Sequence, residues 1–313
     1  MFRIPVCLLL LLNCTLLLHA QDIGLYRNYL YNNFYNLNPA AAGFDGAFIS
    51  QITVAKKWMG ISGSPTSQVF SNSLRLGEDE FYDPHKFIIR PFINLAPRVG
   101  LGFTVYNETS GPLRHTGLLL AYAYHISIYE SRLSFGLSGL ISQYHLDAGE
   151  FEPVNTDDPS LYSSTTAIVP DVNFGAMYYN RQFFTGISAN GLVNFKKVMD
   201  HTKTFPDIIV CGGYKFKINK TYKFEPSLFI WRYGQGSYST DINCKLYFKD
   251  KNWLLLSYQG SSEALFGFGL SIRNGIQLCY YYSTNTNGLA SYNAGSQSIS
   301  FRVDIAELVK KHR

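Results

Sequence analysis

The sequence is poor in charge and has no long apolar stretch beyond its first twenty residues. Asp, Glu, Lys and Arg make up 16% of the 313 residues, against roughly 25% in ordinary soluble domains. After the N-terminal segment, no run approaches the ~20 consecutive apolar residues that a membrane helix requires. These two shortages argue against an ordinary soluble fold and against a helical membrane protein.

Sequence patterns for metals, nucleotides and catalysis are also missing. Three cysteines follow the first twenty residues, and they are Cys211, Cys244 and Cys279. An odd number cannot all pair and their spacing fits no zinc motif, so we expect unpaired cysteines within the wall of the sheet. No Gly-x-Ser-x-Gly, His-Glu-x-x-His or Walker motif occurs. His125 and His145 lie on neighbouring predicted strands, where hydrogen-bonded histidines of a lumen are the simpler interpretation. We expect no enzyme activity, no cofactor and no metal.

The balance of charge is slight. The formal net charge is +5, and no basic cluster is interleaved with stacking aromatic residues. The sequence therefore gives no reason to expect a nucleic-acid partner.

Residues 1–20 have the features of a secretory signal peptide. Arg3 precedes an apolar run from Leu8 to Leu18, and Ala20 precedes Gln21, where we expect cleavage. Cys14 leaves a lipoprotein as the alternative, but Asn13 is a poor small residue before a lipidated cysteine. We therefore expect an exported protein with a cleavable signal.

Aromatic residues are abundant, and they follow a two-residue rhythm. The chain has 23 Tyr and 23 Phe. In the segment 263–284, one face carries an apolar row while the other carries Gly, Ser and charge. The row consists of Ala264, Phe266, Phe268, Leu270, Ile272, Ile276, Leu278, Tyr280 and Tyr282. Asn274-Gly275 between the two halves suits a type I′ turn, so the segment predicts a hairpin with lipid on one side.

The same rhythm predicts an all-β fold, a transmembrane antiparallel β-barrel of about 14 strands. The expected strands are 44–56, 66–76, one from 99, 113–128, 133–146, 168–179, 182–192, 207–218, 222–233, 238–248, 252–259, 263–273, 276–284 and 296–305. Very short connections, such as 130–131, 180–181 and 274–275, alternate with longer polar ones. Bacterial barrels place short turns in the periplasm, so both termini are predicted to be periplasmic.

The expected organisation has four parts. Residues 1–20 are the signal peptide, 21–43 a periplasmic or plug segment, 44–305 the outer-membrane barrel, and 306–313 a periplasmic tail. Residues 77–97 contain an apolar segment interrupted by Pro91. They are compatible with a re-entrant segment, a plug element or an extra strand.

Motifs in the N-terminal quarter resemble those of the PorP/SprF family of type IX secretion membrane proteins. They are Asn33, Asn38-Pro39-Ala40, Gly43, Trp58, Gly60, Gly63, Pro65 and Gly100-Leu101-Gly102. On its own the Asn-Pro segment predicts a capped turn before the first strand, and Trp58 marks a bilayer interface. The resemblance implies structural or partner-docking roles for Asn38, Pro39, Gly43, Trp58, Gly60, Gly63 and Pro65.

The resemblance also implies an interaction function at the outer membrane, in contact with its lipids. One role is a core subunit that docks onto periplasmic ring lipoproteins of the secretion machinery. The other is an accessory barrel for export and surface attachment of a large secreted protein.

The competing hypothesis is an outer-membrane channel for hydrophobic or small-molecule substrates. Small inward-facing residues would leave space in the lumen. They are Gly100, Gly102, Gly136, Ser138, Gly186, Ser188, Gly267 and Gly269. A barrel-embedded hydrolase ranks last, because the sequence offers no convincing triad.

Overall fold

Alternating strands dominate the computed structural model, which describes residues 33–45, 48–76, 98–147, 149, 164–193, 205–234, 236–249, 251–260, 263–286 and 288–309. The strands are β1 Ile49–Lys56, β2 Thr66–Leu76, β3 Val99–Ser110, β4 Leu113–Ile128, β5 Ser131–Leu146, β6 Thr165–Tyr179, β7 Phe183–Asn190, β8 Asp207–Tyr214, β9 Phe216–Lys217, β10 Tyr222–Arg232, β11 Tyr238–Phe248, β12 Asn252–Gln259, β13 Glu263–Arg273, β14 Ile276–Asn285 and β15 Ser296–Asp304.

The strands form one closed antiparallel barrel. Neighbours in sequence pair with each other, and β1 pairs with β15 to close the sheet. Both β8 and β9 pair with β10 and are separated only by Lys215, so they are two pieces of one wall strand. The described residues therefore build a barrel of fourteen wall strands, which confirms the predicted fold.

The two faces of the wall follow the predicted alternation. On β13, Leu265, Gly267 and Gly269 face the lumen, while Leu270 and Ile272 face outward and are more than half exposed. The lumen face is rich in small polar residues, and the outer face is apolar and aromatic. Cys244 faces outward, and Cys211, Cys244 and Cys279 are free wall residues, as predicted.

The turn at Asn274-Gly275 differs from the prediction. Only Gly275, with φ 77°, has a positive φ, whereas a type I′ turn needs positive φ at both residues. The pairing register of β13 with β14 shifts between Ser271 and Arg273, which leaves Ile272 as an extra residue. A bulge therefore supplies the twist that the primed turn was expected to give.

Very short turns recur at one end of the barrel. Turns near 129–130, 180–182, 218–221, 249–251 and 274–275 lie at one end, which we assign to the periplasm. At the outer end, residues 57–65, 191–206 and 286–295 connect strands, but the connections 111–112 and 260–262 are short. The connection 77–98 between β2 and β3 is the long exception at the periplasmic end. The C-terminal helix Ile305–Val309 follows β15 at the periplasmic end.

Helical structure is short wherever the structure describes it. The 3-10 turns are Phe34–Asn36, Pro39–Ala41 and Gly288–Ser291. Within the described ranges, no helix has the length and apolar character needed to cross a membrane. The first strand begins at Ile49 rather than at Phe44, because Phe44 and Asp45 belong to the segment that precedes the wall. The predicted signal peptide, residues 21–32, residues 77–97 and residues 310–313 lie outside the described residues.

Candidate functional site: a plugged lumen above a periplasmic cavity

Residues 33–45, here called the plug, lie inside the barrel. They form two successive 3-10 turns, Phe34–Asn36 and Pro39–Ala41. Asn38 caps the second turn, since its Oδ1 accepts a hydrogen bond from the Ala40 amide at 3.0 Å, and Pro39 occupies the first position, where no amide hydrogen is needed. Ala40, Ala41 and Ala42 are buried.

Asn38 also fastens the plug to the wall. Its Nδ2 donates to the carbonyl oxygens of Ala176 on β6 and Ile187 on β7, both at 3.2 Å. The orientation of the Asn38 side-chain amide is fixed, because its nitrogen faces the carbonyl oxygens of Ala176 and Ile187 and its oxygen faces the Ala40 amide. A single residue therefore caps the turn and bridges two strands, which an aspartate would not do.

Side chains of the wall satisfy the main chain of the plug. The hydroxyl of Ser134 donates to the Ala40 carbonyl at 2.6 Å, and that of Ser188 donates to the Leu37 carbonyl at 2.7 Å. The Gly43 amide donates to Ser73 Oγ at 3.0 Å. Irregular backbone away from water needs such partners, so the wall replaces the hydrogen bonds that a sheet would supply.

A relay of side chains holds the end of the plug. His125 Nε2 lies 2.8 Å from the Ala42 carbonyl oxygen and donates to it, because a carbonyl oxygen only accepts. The hydroxyl oxygen of Tyr179 lies 2.9 Å from His125 Nδ1 and accepts a hydrogen bond from the Arg75 guanidinium at 2.5 Å. The relay thus links β2, β4 and β6 to one carbonyl group of the plug.

Tyr35 anchors the first turn. Its hydroxyl donates to the Phe103 carbonyl at 2.8 Å and lies 2.7 Å from Thr104 Oγ1. Thr104 in turn donates to Asn36 Oδ1 at 2.8 Å. Burial raises the pKa of Tyr35 to about 12, so the hydroxyl keeps its proton for these contacts over the physiological pH range.

Glycine lines the wall where the plug passes over it. A Cβ atom at Gly100 would lie 1.9 Å from the Ala42 carbonyl oxygen, and one at Gly136 would lie 2.2 Å from the Ala40 nitrogen. Equivalent atoms at three further glycines would meet Tyr35 or Asn38 within 2.0 to 2.8 Å. These three are Gly102, Gly175 and Gly186. The wall is therefore shaped for close approach of this segment.

Small inward residues thus do not leave the open space that the channel hypothesis expected. The plug covers four of the glycines, and the rings of Tyr281 and Trp253 cover Gly267 and Gly269. Ser138 accepts a hydrogen bond from Asn173.

Aromatic rings complete the contact between plug and wall. The ring of Phe34 lies 5.4 Å from that of Phe184 and 5.8 Å from that of Phe229. The ring of Phe44 lies 4.7 Å from that of Tyr179. Edge-to-face pairs at these distances stabilise a packed interior beyond the area they bury.

The other predicted residues lie at the opposite end of the molecule. Trp58, Gly60, Gly63 and Pro65 belong to the outer connection between β1 and β2. The Met59 amide donates to the Gly295 carbonyl at 2.9 Å, and the Gly111 amide donates to that of Gly63. Positive φ at Gly60 and Gly63 shapes this connection.

The predicted set of seven residues therefore forms two groups. Asn38, Pro39 and Gly43 lie in the lumen, and the other four join neighbouring connections at the outer rim. The structure does not bring the two groups together.

Below the plug lies a cavity of about 390 Å³ that opens at the periplasmic end. Phe34, Tyr35 and Phe44 of the plug form its roof. Its mouth is formed by the turn 180–183 together with Lys251 and Glu307. We call this space the periplasmic cavity.

The walls of the periplasmic cavity carry charge and aromatic rings. Lys215 pairs with Glu225 at 3.0 Å, and Arg302 pairs with Asp45 at 2.9 Å. The Nζ of Lys245 lies 4.2 Å from the centre of the Trp253 ring and 5.1 Å from that of Tyr247. Cation–π contact therefore positions Lys245.

The histidines named in the sequence stand apart. His125 binds the plug, whereas His145 is half-buried near the outer end, where its Nδ1 lies 2.9 Å from Thr166 Oγ1. Among the residues that the structure describes, no group of three or more candidate ligands could hold a metal ion.

Sequence reasoning missed the wall side of the site. Ser134, Ser188 and His125 all fall on the inward face of the predicted alternation, and this was the available signal. Nothing in that pattern tells which inward residue meets the plug, because the contacts join positions far apart in the chain.

These features define a class of protein: an outer-membrane β-barrel whose lumen contains its own N-terminal segment. The architecture is similar to that of Omp33 from Acinetobacter baumannii, with a TM-score of 0.47 and 10% identity over 82% of this chain and 95% of that one. A FadL homologue of Pseudomonas aeruginosa aligns with a TM-score of 0.44 and 9% identity over 85% and 92%. A porin mutant of Rh. blastica aligns with a TM-score of 0.35 and 9% identity over 83% of this chain and 99% of that one.

Sequence comparison gives the family. The model of the type IX secretion system membrane protein PorP/SprF matches residues 18–303, so the chain belongs to this family. No curated protein matches the chain.

Proposed function

We propose that this protein is a non-enzymatic scaffold of type IX secretion, fixed in the outer membrane and acting through contacts with other proteins. The observation that carries the proposal is the plug, whose main chain is bonded to the wall by Asn38, Ser134, Ser188 and His125. A segment built into the wall in this way favours a sealed, rigid barrel. A rigid barrel presents its two ends as binding surfaces.

The two ends suit different partners. The periplasmic end, with its short turns and its cavity, faces the space in which ring lipoproteins of the machinery reside. The outer end, where Trp58, Gly60, Gly63 and Pro65 join neighbouring connections, faces an exported surface protein. We assign periplasmic docking to the first end, and structural support of the outer rim to these four residues.

A deletion strain tests the proposal. Loss of the protein should abolish surface display of the secreted cargo and leave the general permeability of the outer membrane unchanged. Normal display in the deletion strain would contradict the proposal.

Purification in mild detergent distinguishes the two roles within secretion. Co-elution of periplasmic lipoproteins with the tagged protein would indicate the core role. Co-elution of a large exported protein would indicate the accessory role.

A further inference from the structure

The acidic residues of the periplasmic cavity all have partners, whereas one of its lysines forms no ion pair. Its acidic residues Asp45, Glu225, Asp304 and Glu307 all have partners, because Arg302, Lys215 and Lys251 pair with three of them. The fourth, Asp304, accepts from the Glu307 amide at 3.2 Å. Lys245 lies opposite Glu225 in the pairing of β10 with β11, but Glu225 forms its ion pair with Lys215. Lys245 has no hydrogen bond or ion pair to any described residue, and the rings of Trp253 and Tyr247 flank it.

A second side chain in the same cavity also lacks partners. Asn243 is 2% exposed, and neither the nitrogen nor the oxygen of its amide has a hydrogen-bond partner. It is two residues from Lys245 on β11, so both side chains point into the lumen. An unmet donor beside an unmet acceptor matches the two polar groups of a peptide bond.

Aromatic rings form part of the remaining wall of the cavity, beside polar side chains such as Asn180, Gln182, Ser227 and Gln277. Phe34, Phe44, Phe184, Phe229, Tyr247 and Trp253 line it. Rings of this kind favour a ligand with apolar side chains over a bare inorganic anion.

We infer that the periplasmic cavity binds a peptide segment of a periplasmic protein, with Lys245 receiving a carboxylate and Asn243 a peptide group. The inference rests on the proposed function, because it assumes that a secretion component supplies the segment. Burial of an ammonium next to a carboxylate in a partly closed site gives a charge-assisted hydrogen bond, and pairing of Asn243 removes the penalty of two unmet polar atoms.

Isothermal titration of the purified full-length barrel in detergent tests the inference with three short probes. The first is acetyl-Gly-Phe-Ser-Phe with a free C-terminal carboxylate, and the second is the same peptide as its C-terminal amide. The third is acetyl-Gly-Phe-Asp-Phe-amide, which carries the carboxylate on a side chain. We expect at least one carboxylate probe to bind about tenfold or more tightly than the neutral amide.

The acid probes also separate two sources of the carboxylate. Preference for the first probe assigns the ligand a chain terminus, and preference for the third assigns it an internal acidic residue. Equal binding of all three probes, or no binding of any, would overturn the inference.

Variants of two lysines locate the effect. Lys245→Met should remove the preference for a carboxylate, and Lys245→Arg should keep it. Lys249→Met is the matched control, because it removes one positive charge from the turn after β11 without changing the lining of the cavity. An unchanged preference in Lys245→Met would overturn the inference.

Cells carrying Lys245→Met separate this inference from the proposed function. If deletion of the whole protein abolishes cargo display but Lys245→Met leaves display intact, the cavity is not the docking site and the scaffold role stands. If deletion itself leaves display intact, the scaffold role fails as well.

Discussion

The two halves of the lumen differ in what their inward-facing side chains contact. In the half under the plug, from β2 to β10, wall donors and acceptors meet main-chain groups of residues 33–45, and glycine stands where the two backbones touch. Buried polar atoms without a hydrogen-bond partner occur in both halves, with Asn33, Asn36, Ser71 and Asn190 in the first and Ser298 in the second among them. Among the described residues, only the half from β11 to β15 has side chains in which both amide atoms lack a partner, at Asn243 and Gln259, and stability alone does not explain these two.

The largest effect should come from filling a contact between wall and plug. Gly136→Leu places a side chain where Pro39 and Ala40 already lie, so it should lower the free energy of unfolding by about 3 kcal/mol, the upper part of the range for overpacking. Heat-modified mobility in gel electrophoresis measures the change.

Gly139 on the same strand provides the control. It faces outward, and no atom lies within 4 Å of an added Cβ. Gly139→Leu should change stability by no more than about 0.5 kcal/mol. Equal losses in the two variants would show that the contact with the plug is not tight.

Asn38→Ala should have the next largest effect. It removes the cap of the second 3-10 turn and both bridges to the wall, for a loss of about 2 to 3 kcal/mol at roughly 1 kcal/mol for each hydrogen bond. Asn36→Ala removes a single acceptor, that of Thr104, and should cost about 1 kcal/mol. Chemical denaturation in detergent compares the two, and equal losses would count against the bridging role of Asn38.

Tyr179→Phe tests the relay that holds the Ala42 carbonyl. The change removes a hydroxyl that contacts both His125 and Arg75, so we expect a loss of about 1 to 2 kcal/mol. Tyr178→Phe is the control, since Tyr178 is the next residue and faces outward. Chemical denaturation in detergent measures the stability of both variants. Wild-type stability of the Tyr179→Phe barrel would exclude the relay as a support of the plug.

The smallest effect should come from the other half of the lumen. Asn243→Leu removes two unpartnered polar atoms, so stability should stay within about 0.5 kcal/mol of the wild type or rise. Ser188→Ala under the plug loses a real hydrogen bond and should cost about 1 kcal/mol. If Asn243→Leu proved the more damaging of the two in thermal unfolding, the contrast between the halves would disappear.

The barrel was predictable from the sequence because its signal is local. Period-two alternation assigns each wall residue a face from its neighbours alone, and Phe266, Leu270 and Ile299 face outward as that rule requires. The predicted short turns likewise lie together at one end of the barrel, at 129–130, 180–182 and 274–275 among others.

The site was less predictable because its contacts are not local. The sequence alone predicts that Gly100 and Gly136, as small residues, leave space in the lumen. In the structure the backbones of Ala42 and Pro39 lie against them, and a side chain at either position would clash. Trp58 and Asn38 are 20 positions apart in the chain, but one lies at the rim and the other inside the barrel. Only the folded chain shows that Asn38 bonds the plug to the wall whereas Trp58 belongs to the outer rim.

The central claim is that residues 33–45 fill the lumen as a fixed plug and so close the barrel. Conductance of the wild-type protein in planar lipid bilayers, recorded beside the Gly136→Leu variant, tests it most directly. We predict no stable channel current from the wild type, and open events once the added side chain displaces the plug. A steady current through the wild-type barrel would contradict the claim.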